Sequence, residues 1–336
     1  MTPGARDGAA DSARESESRR RTMLRSAMGP AIARALADPR VIEVMVNPDG
    51  ALRVDILGEG RVDTGDRLEA AQIERIVRLV ASHARTEVHA ASPIVSAELP
   101  PHGQGAGERF EGLLPPVSTA PCFAIRKPAA KLFTLLDYVE AGICTAECAR
   151  LLSLAVVERR NILVAGGASS GKTTLANALL AEMAALDERV ILIEDTRELQ
   201  CPAPDRVELR TRAGHVSMAD LVRSTLRLRP DRIIVGEVRG PEALDMLKAW
   251  NTGHPGGIAT IHANSAPAAL TRVEQLVQES VVSVPRRLIA EAIDLVVFIA
   301  GRGLGRRIAT LARVDGVTDG GAYALAELPI HSLDVA

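Results

Sequence analysis

Apolar residues recur along this chain with two different periods, and the order in which those periods appear divides it into two kinds of fold. Leu24, Met28, Ile32 and Leu36 recur every four residues, which predicts a helix starting near Thr22, interrupted at Gly29-Pro30 and ended by Asp38-Pro39. Val41 to Val46 and Leu52 to Leu57 read as two strands joined by the turn Asn47-Pro48-Asp49-Gly50. Ile73, Ile76, Val77 and Val80 form one helical apolar face between about Glu69 and Arg85, and Arg109 to Leu114 and Cys122 to Arg126 read as further strands. A small α+β domain over 22–126 is the simplest container for these elements. A proline-containing passage, 127–136, reads as a linker. Beyond it, helical stretches alternate with short apolar runs at Ile162 to Ala165, Val190 to Glu194, Arg232 to Val235, Ile258 to His262 and Leu295 to Ala300. That alternation predicts an α/β domain over 137–330 with a mostly parallel sheet flanked by helices. Arg306 to Leu328, with Gly316 and Gly320-Gly321 as turn points, reads as a peripheral hairpin. Residues 1–21 carry almost no large apolar side chains and are expected to be disordered.

Composition narrows the class of protein. The 336 residues are 47% hydrophobic and 24% charged, enough to build two cores. No uninterrupted apolar run has the ~18 residues of a membrane span, and the start is polar where a signal peptide would be apolar. A cytoplasmic protein is expected, with peripheral membrane attachment left open. The 40 basic and 42 acidic residues nearly cancel, so net charge gives no indication of nucleic-acid contact. Lysine occurs only at Lys127, Lys131, Lys172 and Lys248, and none of them follows an asparagine, which argues against the N-K-x-D motif of guanine-specific GTPases. Cys122, Cys144, Cys148 and Cys201 have no zinc-site spacing and read as reduced thiols.

The chemistry begins at Gly166-Gly167-Ala168-Ser169-Ser170-Gly171-Lys172-Thr173-Thr174, which meets the phosphate-binding pattern G-x-x-x-x-G-K-[ST] at every fixed position. A buried strand precedes it and a helix, read as Thr174 to Leu186, follows. Gly166 and Gly171 allow successive amide N–H groups to converge on phosphate oxygens near a helix N-terminus. Lys172 should reach the β- and γ-phosphates of a nucleoside triphosphate, and Thr173 should ligate Mg²⁺.

Two apolar strands end in acids. Val190 to Ile193 runs into Glu194-Asp195, and Ile233 to Val235 runs through Gly236 into Glu237. Ligands of open α/β sheets sit at the carboxyl ends of strands, so both carboxylates should face the nucleotide, one acting on the attacking water and the other on Mg²⁺. The sequence leaves open which does which. His262 follows its strand in the same manner, and could sense the γ-phosphate; His254 and Asp231 read as structural.

Together the phosphate loop, Leu192-Ile193-Glu194-Asp195-Thr196, Arg229-Pro230-Asp231 with Gly236-Glu237, and Thr252-Gly253-His254 with Thr260-Ile261-His262-Ala263-Asn264 resemble the secretion traffic ATPases. Segments Glu108 to Pro116, Ala124 to Pro128 and Leu221 to Asp231 extend the resemblance to the first domain and point to the conjugative-transfer ATPases of the type IV secretion branch. The Gly-rich stretch 101–107 departs from the family pattern. The resemblance implies a RecA-like P-loop ATPase domain with an N-terminal domain closing over the nucleotide. It also implies a cytoplasmic homohexameric ring at the inner membrane that hydrolyses ATP for conjugative DNA transfer, pilus assembly or type IV secretion, with inner-membrane components of that apparatus as partners. Such a ring gives a reason for arginines outside the loop: Arg109, Arg126, Arg210 and Arg212 are the candidates to stabilise charge on the γ-phosphate from another domain or subunit. A type II secretion or pilus-assembly motor and a nucleotide-gated assembly factor are the alternatives.

Overall fold

The computed structural model describes residues 4–100, 107–128, 132–212 and 214–330. The chain divides into two compact units, Met1–Ala130 and Lys131–Ala336.

The first unit opens with helix α1 (Gly4–Ala37), kinked at Gly29 ahead of Pro30. It is helical from inside the stretch 1–21 expected to be disordered. The alanines, arginines and glutamates of that stretch are strong helix formers, a local preference that the count of apolar residues overlooks. Strands β1 (Val41–Val46), β2 (Ala51–Ile56) and β3 (Gly60–Arg67) follow, then helix α2 (Ala70–Ala84) and strands β4 (Ile94–Glu98), β5 (Arg109–Leu113) and β6 (Cys122–Arg126). They form one sheet in the order β3-β2-β1-β6-β5-β4. Val44, Val54, Phe110 and Ile125 lie on its buried face and pack with Ile73, Ile76, Val77 and Val80 of α2. The opposite face carries a charged row. Glu98 pairs with Arg109, Arg109 with Arg126 and Arg126 with Glu43, so two arginines sit side by side between two carboxylates.

The second unit contains α3 (Leu135–Glu140), α4 (Ala146–Val157), β7 (Ile162–Gly166), α5 (Lys172–Ala181), β8 (Arg189–Glu194), β9 (Asp205–Arg210), α6 (Met218–Thr225), β10 (Arg232–Val235), α7 (Glu242–Asn251), β11 (Ile258–His262), α8 (Ala266–Gln278), α9 (Arg286–Ala292), β12 (Leu295–Ala300), β13 (Arg307–Val317) and β14 (Tyr323–Glu327). Its eight-stranded sheet runs β14-β13-β12-β7-β11-β10-β8-β9, parallel from β12 to β9, with β13 and β14 antiparallel at one edge. This α/β unit with its smaller α+β companion is the expected fold class. Side chains of β7 alternate between two cores: Ile162 and Val164 join the one with α4 and α5, Leu163 and Ala165 the one with α7 and α8. Strands buried on both faces read as continuous apolar runs for this reason. Each fully buried Leu, Ile or Val contributes roughly 1.5–3 kcal/mol.

Three strands differ from expectation. β3 and β9 lie at sheet edges with mostly exposed side chains, and β4 is a partly exposed edge, so none shows a strong apolar pattern. Gly316 is not a turn point but lies at a register shift within β13. Helix α5 starts at Lys172, two residues earlier than expected from Thr174.

Candidate functional site

The parallel order brings the carboxyl ends of β7, β11, β10 and β8 to one edge of the sheet, and the chemistry-bearing residues gather there. The loop from Gly166 leaves β7 and enters α5 through Gly171, whose φ of 97° is left-handed and suits glycine alone. No side chain caps this end of α5, so its first backbone N–H groups remain available to an anion.

Lys172, only 7% exposed, folds back over its own loop. Its Nζ donates to the Gly167 carbonyl at 3.1 Å and lies 3.3 Å from His262 Nδ1. His262 ends β11, and its Nε2 lies 2.7 Å from Glu237 Oε1. Burial holds the imidazole pKa below its ordinary value, opposed by Glu237 and reinforced by the Lys172 and Arg239 cations. Lys172 Nζ is nearly equidistant from the two ring nitrogens, 3.3 Å from Nδ1 and 3.4 Å from Nε2, and so lies over the imidazole rather than on one lone pair. The second Glu237 oxygen accepts from Arg239 Nε at 2.7 Å and also from its Nη2, and Arg239 Nη1 reaches Asp195 Oδ2 at 2.7 Å. One chain of contacts, Lys172–His262–Glu237–Arg239–Asp195, therefore crosses the ends of three strands.

Glu194 stands beside this chain rather than in it. It is 5% exposed, and its Oε1 accepts the backbone N–H groups of Glu198 and Leu199 at 2.9 and 2.8 Å. Burial pushes its carboxyl pKa up to about 7 in spite of those two donors. A Cβ on Gly236 would lie 3.0 Å from Glu194 Cγ, so the end of β10 packs directly on this side chain. Thr173 Oγ1 donates to Glu198 Oε2 at 3.2 Å, while Asn177, one turn further along α5, binds the Glu198 carbonyl and the Gln200 amide. Thr173, Glu194 and Glu237 are the expected metal residues; Glu198, which the sequence reading did not single out, is the carboxylate that the Thr173 hydroxyl meets. Its signal was present as the last acid of Glu194-Asp195-Thr196-Arg197-Glu198, but spacing alone does not say that it faces α5.

The oxygen donors at this end of α5, Thr173 and Glu198 with Glu194 behind them, suit a hard cation such as Mg²⁺. Among the described residues no group of three or more His, Cys, Asp or Glu is arranged to hold a metal.

Arg210 ends the edge strand β9 opposite Glu194 and is exposed. Arg109 and Arg126 belong to the first unit, where they are direct cross-strand partners. Asp231 accepts the Arg189 amide at the other end of the sheet, and His254 Nδ1 contacts the Pro230 carbonyl, both structural as expected. All four cysteines are free thiols. Among the described residues no helix is long and apolar enough to cross a membrane.

The family described as "Type II/IV secretion system protein" matches residues 64–307. The chain is 47% identical over 295 residues to "Conjugal transfer protein TrbB" of Rhizobium radiobacter, covering 87% of this chain and 90% of that protein. It is 32% identical over 291 residues to "Type IV secretion system protein VirB11" of Bartonella henselae, covering 74% and 80%. Among solved structures it is similar to the pilus retraction motor PilT with bound ADP, at TM-score 0.60 and 19% identity over 88% of this chain and 80% of that one, a likeness of fold alone.

Proposed function

The chain belongs to the type II/IV secretion system protein family, and from that premise we propose that it binds ATP with Mg²⁺ at Gly166–Thr174, hydrolyses it to ADP and phosphate, and so powers conjugative DNA transfer or type IV secretion. The observation that carries this reading is the convergence of Lys172, His262 and Glu237 on a glycine-rich loop at the carboxyl edge of the parallel sheet.

Each group has a role that its surroundings support. The amides from Gly167 to Thr173 cradle the phosphates. Lys172 exchanges the Gly167 carbonyl for phosphate oxygen. Thr173 and Glu198 would hold Mg²⁺, which would supply positive charge to offset that of the phosphates. Glu194 is the base: a carboxyl whose pKa lies near 7 is matched to proton transfer at neutral pH, and its Oε2 has no hydrogen-bond partner among the described residues. Water oxygen bonds to the γ-phosphorus as the bond to the β–γ bridging oxygen breaks, and the water proton passes to Glu194. Glu237 and His262 couple the γ-phosphate position to the ends of β10 and β11.

The assembly is a homohexameric ring at the cytoplasmic face of the inner membrane, engaging membrane components of the secretion apparatus. Arg109, Arg126 and Arg210 are the arginines offered to the γ-phosphate from another domain or subunit, where they stabilise the charge that develops on transfer. Homology to a conjugal transfer protein supports this choice of process. The deciding experiment is phosphate release from the purified protein, wild type against Lys172→Ala and Glu194→Gln, with oligomer mass measured in parallel. Turnover by an oligomer that both variants lose is the expected result. ATP binding without release would make it a nucleotide-gated assembly factor, and a monomer with activity unchanged in both variants would remove the motor altogether.

A further inference from the structure

The turn between β12 and β13 lies against the phosphate loop and brings two arginines to it. Arg302 Nε donates to the Ala168 carbonyl at 3.0 Å. Arg306 lies over Gly171, where an added Cβ would come within 2.9 Å of its Nε and 3.0 Å of its Cζ. The turn is tightly closed, since a Cβ on Gly301 would stand 2.0 Å from the Gly305 carbonyl oxygen, and it therefore presents both side chains from a fixed base.

Among the described residues these two cations lack the carboxylate partner that many other arginines of the chain have. Arg150, Arg223, Arg239, Arg286 and Arg313 each meet a carboxylate. Among the described residues neither Arg302 nor Arg306 has one; Arg306 Nε is buried with no hydrogen-bond partner, and so is the hydroxyl of Tyr138, whose pKa feels the Arg306 charge. Two uncompensated guanidinium groups beside a loop of converging amides create a field that favours a polyphosphate. We propose that Arg302 and Arg306 are nucleotide-binding residues acting in cis, adding to Lys172 a second and third cation for the phosphates of a nucleoside di- or triphosphate. This rests on the nucleotide reading above.

The test is ADP titration into the intact protein by calorimetry, over a range of salt, for wild type, Arg302→Gln, Arg306→Gln, the double variant, Arg306→Lys and Lys172→Ala. Each Gln variant is expected to weaken binding about five- to tenfold and the double variant at least about thirtyfold, with a shallower salt dependence. Arg306→Lys should stay within about threefold of wild type, since the charge is kept. Nucleotide-free melting temperatures should be unchanged, because no ion pair is lost. Should Arg306→Gln lower that temperature, Arg302→Gln, at an exposed position, carries the test by itself. Wild-type affinity in the double variant, alongside loss in Lys172→Ala, would overturn this proposal and leave the nucleotide site standing. Failure of the wild type to bind ADP or ATP at all would overturn the nucleotide reading.

Discussion

His262 and Glu237 reach each other from neighbouring parallel strands, with Nε2 of the imidazole 2.7 Å from Oε1 of the carboxylate. Neither is adjacent in sequence to Lys172, yet the imidazole touches both. The ring thus stands between the loop lysine and the acidic strand end, in contact with each.

Replacing His262 with alanine should therefore cut turnover roughly tenfold while leaving ADP affinity within about twofold, because the phosphate amides and Lys172 remain. Steady-state phosphate release together with ADP titration measures both. Loss of binding equal to the loss of turnover would assign the histidine to nucleotide affinity instead.

Glu194 makes the stability of the nucleotide-free protein depend on pH in a defined direction. Its folded pKa, near 7, lies above the unfolded value near 4.5, so its contribution is fully present below about pH 4.5 and is lost as pH rises through 7. Glu194→Gln keeps an acceptor for the two amides without the charge. The variant should gain on the wild type as pH rises from 5 to 8, by an amount on the order of 3 kcal/mol. Denaturant unfolding at several pH values measures this, and a pH-independent difference would contradict it.

Glu198 meets the Thr173 hydroxyl, so Glu198→Ala should raise the Mg²⁺ concentration needed for half-maximal turnover by about ten- to one-hundredfold, with the saturated rate less affected. A Mg²⁺ titration of the ATPase rate, with nucleotide held constant, reads the shift directly.

Arg109 and Arg126 are neighbours on one face of the first unit's sheet, flanked by Glu98 and Glu43. If either serves the γ-phosphate, Arg109→Ala or Arg126→Ala should reduce turnover at least roughly a hundredfold with the oligomer intact. Mass measurement beside the rate assay separates a lost cation from a lost assembly. Undiminished turnover in both variants would leave Arg210 and Arg212 as the remaining candidates.

How far the sequence could be read follows from what buried each element. Five of the six inner strands of the second unit, all but β13, are apolar on both faces and legible within a residue or two. β3, β4 and β9 are not, because an edge strand with one or both faces in water has no apolar pattern to show. The site divides similarly. Lys172, Glu194, Glu237 and His262 each follow or open a legible element, so their gathering at one edge follows from strand direction. Glu198, Arg239, Arg302 and Arg306 sit in connecting segments, and their partners are chosen by strand order. Nothing in the spacing of Arg302 and Ala168 along the chain foretells their contact; it arises because β12 lies beside β7.

That same strand order has a kinetic consequence. The strand that launches the phosphate loop, Ile162–Gly166, is flanked by Ile258–His262 and Leu295–Ala300, both far later in the chain. As the polypeptide leaves the ribosome, β7 and α5 emerge with neither neighbouring strand yet synthesised, and such non-local pairings form slowly. Both flanks of this strand can therefore be paired only after the chain through residue 300 has been made.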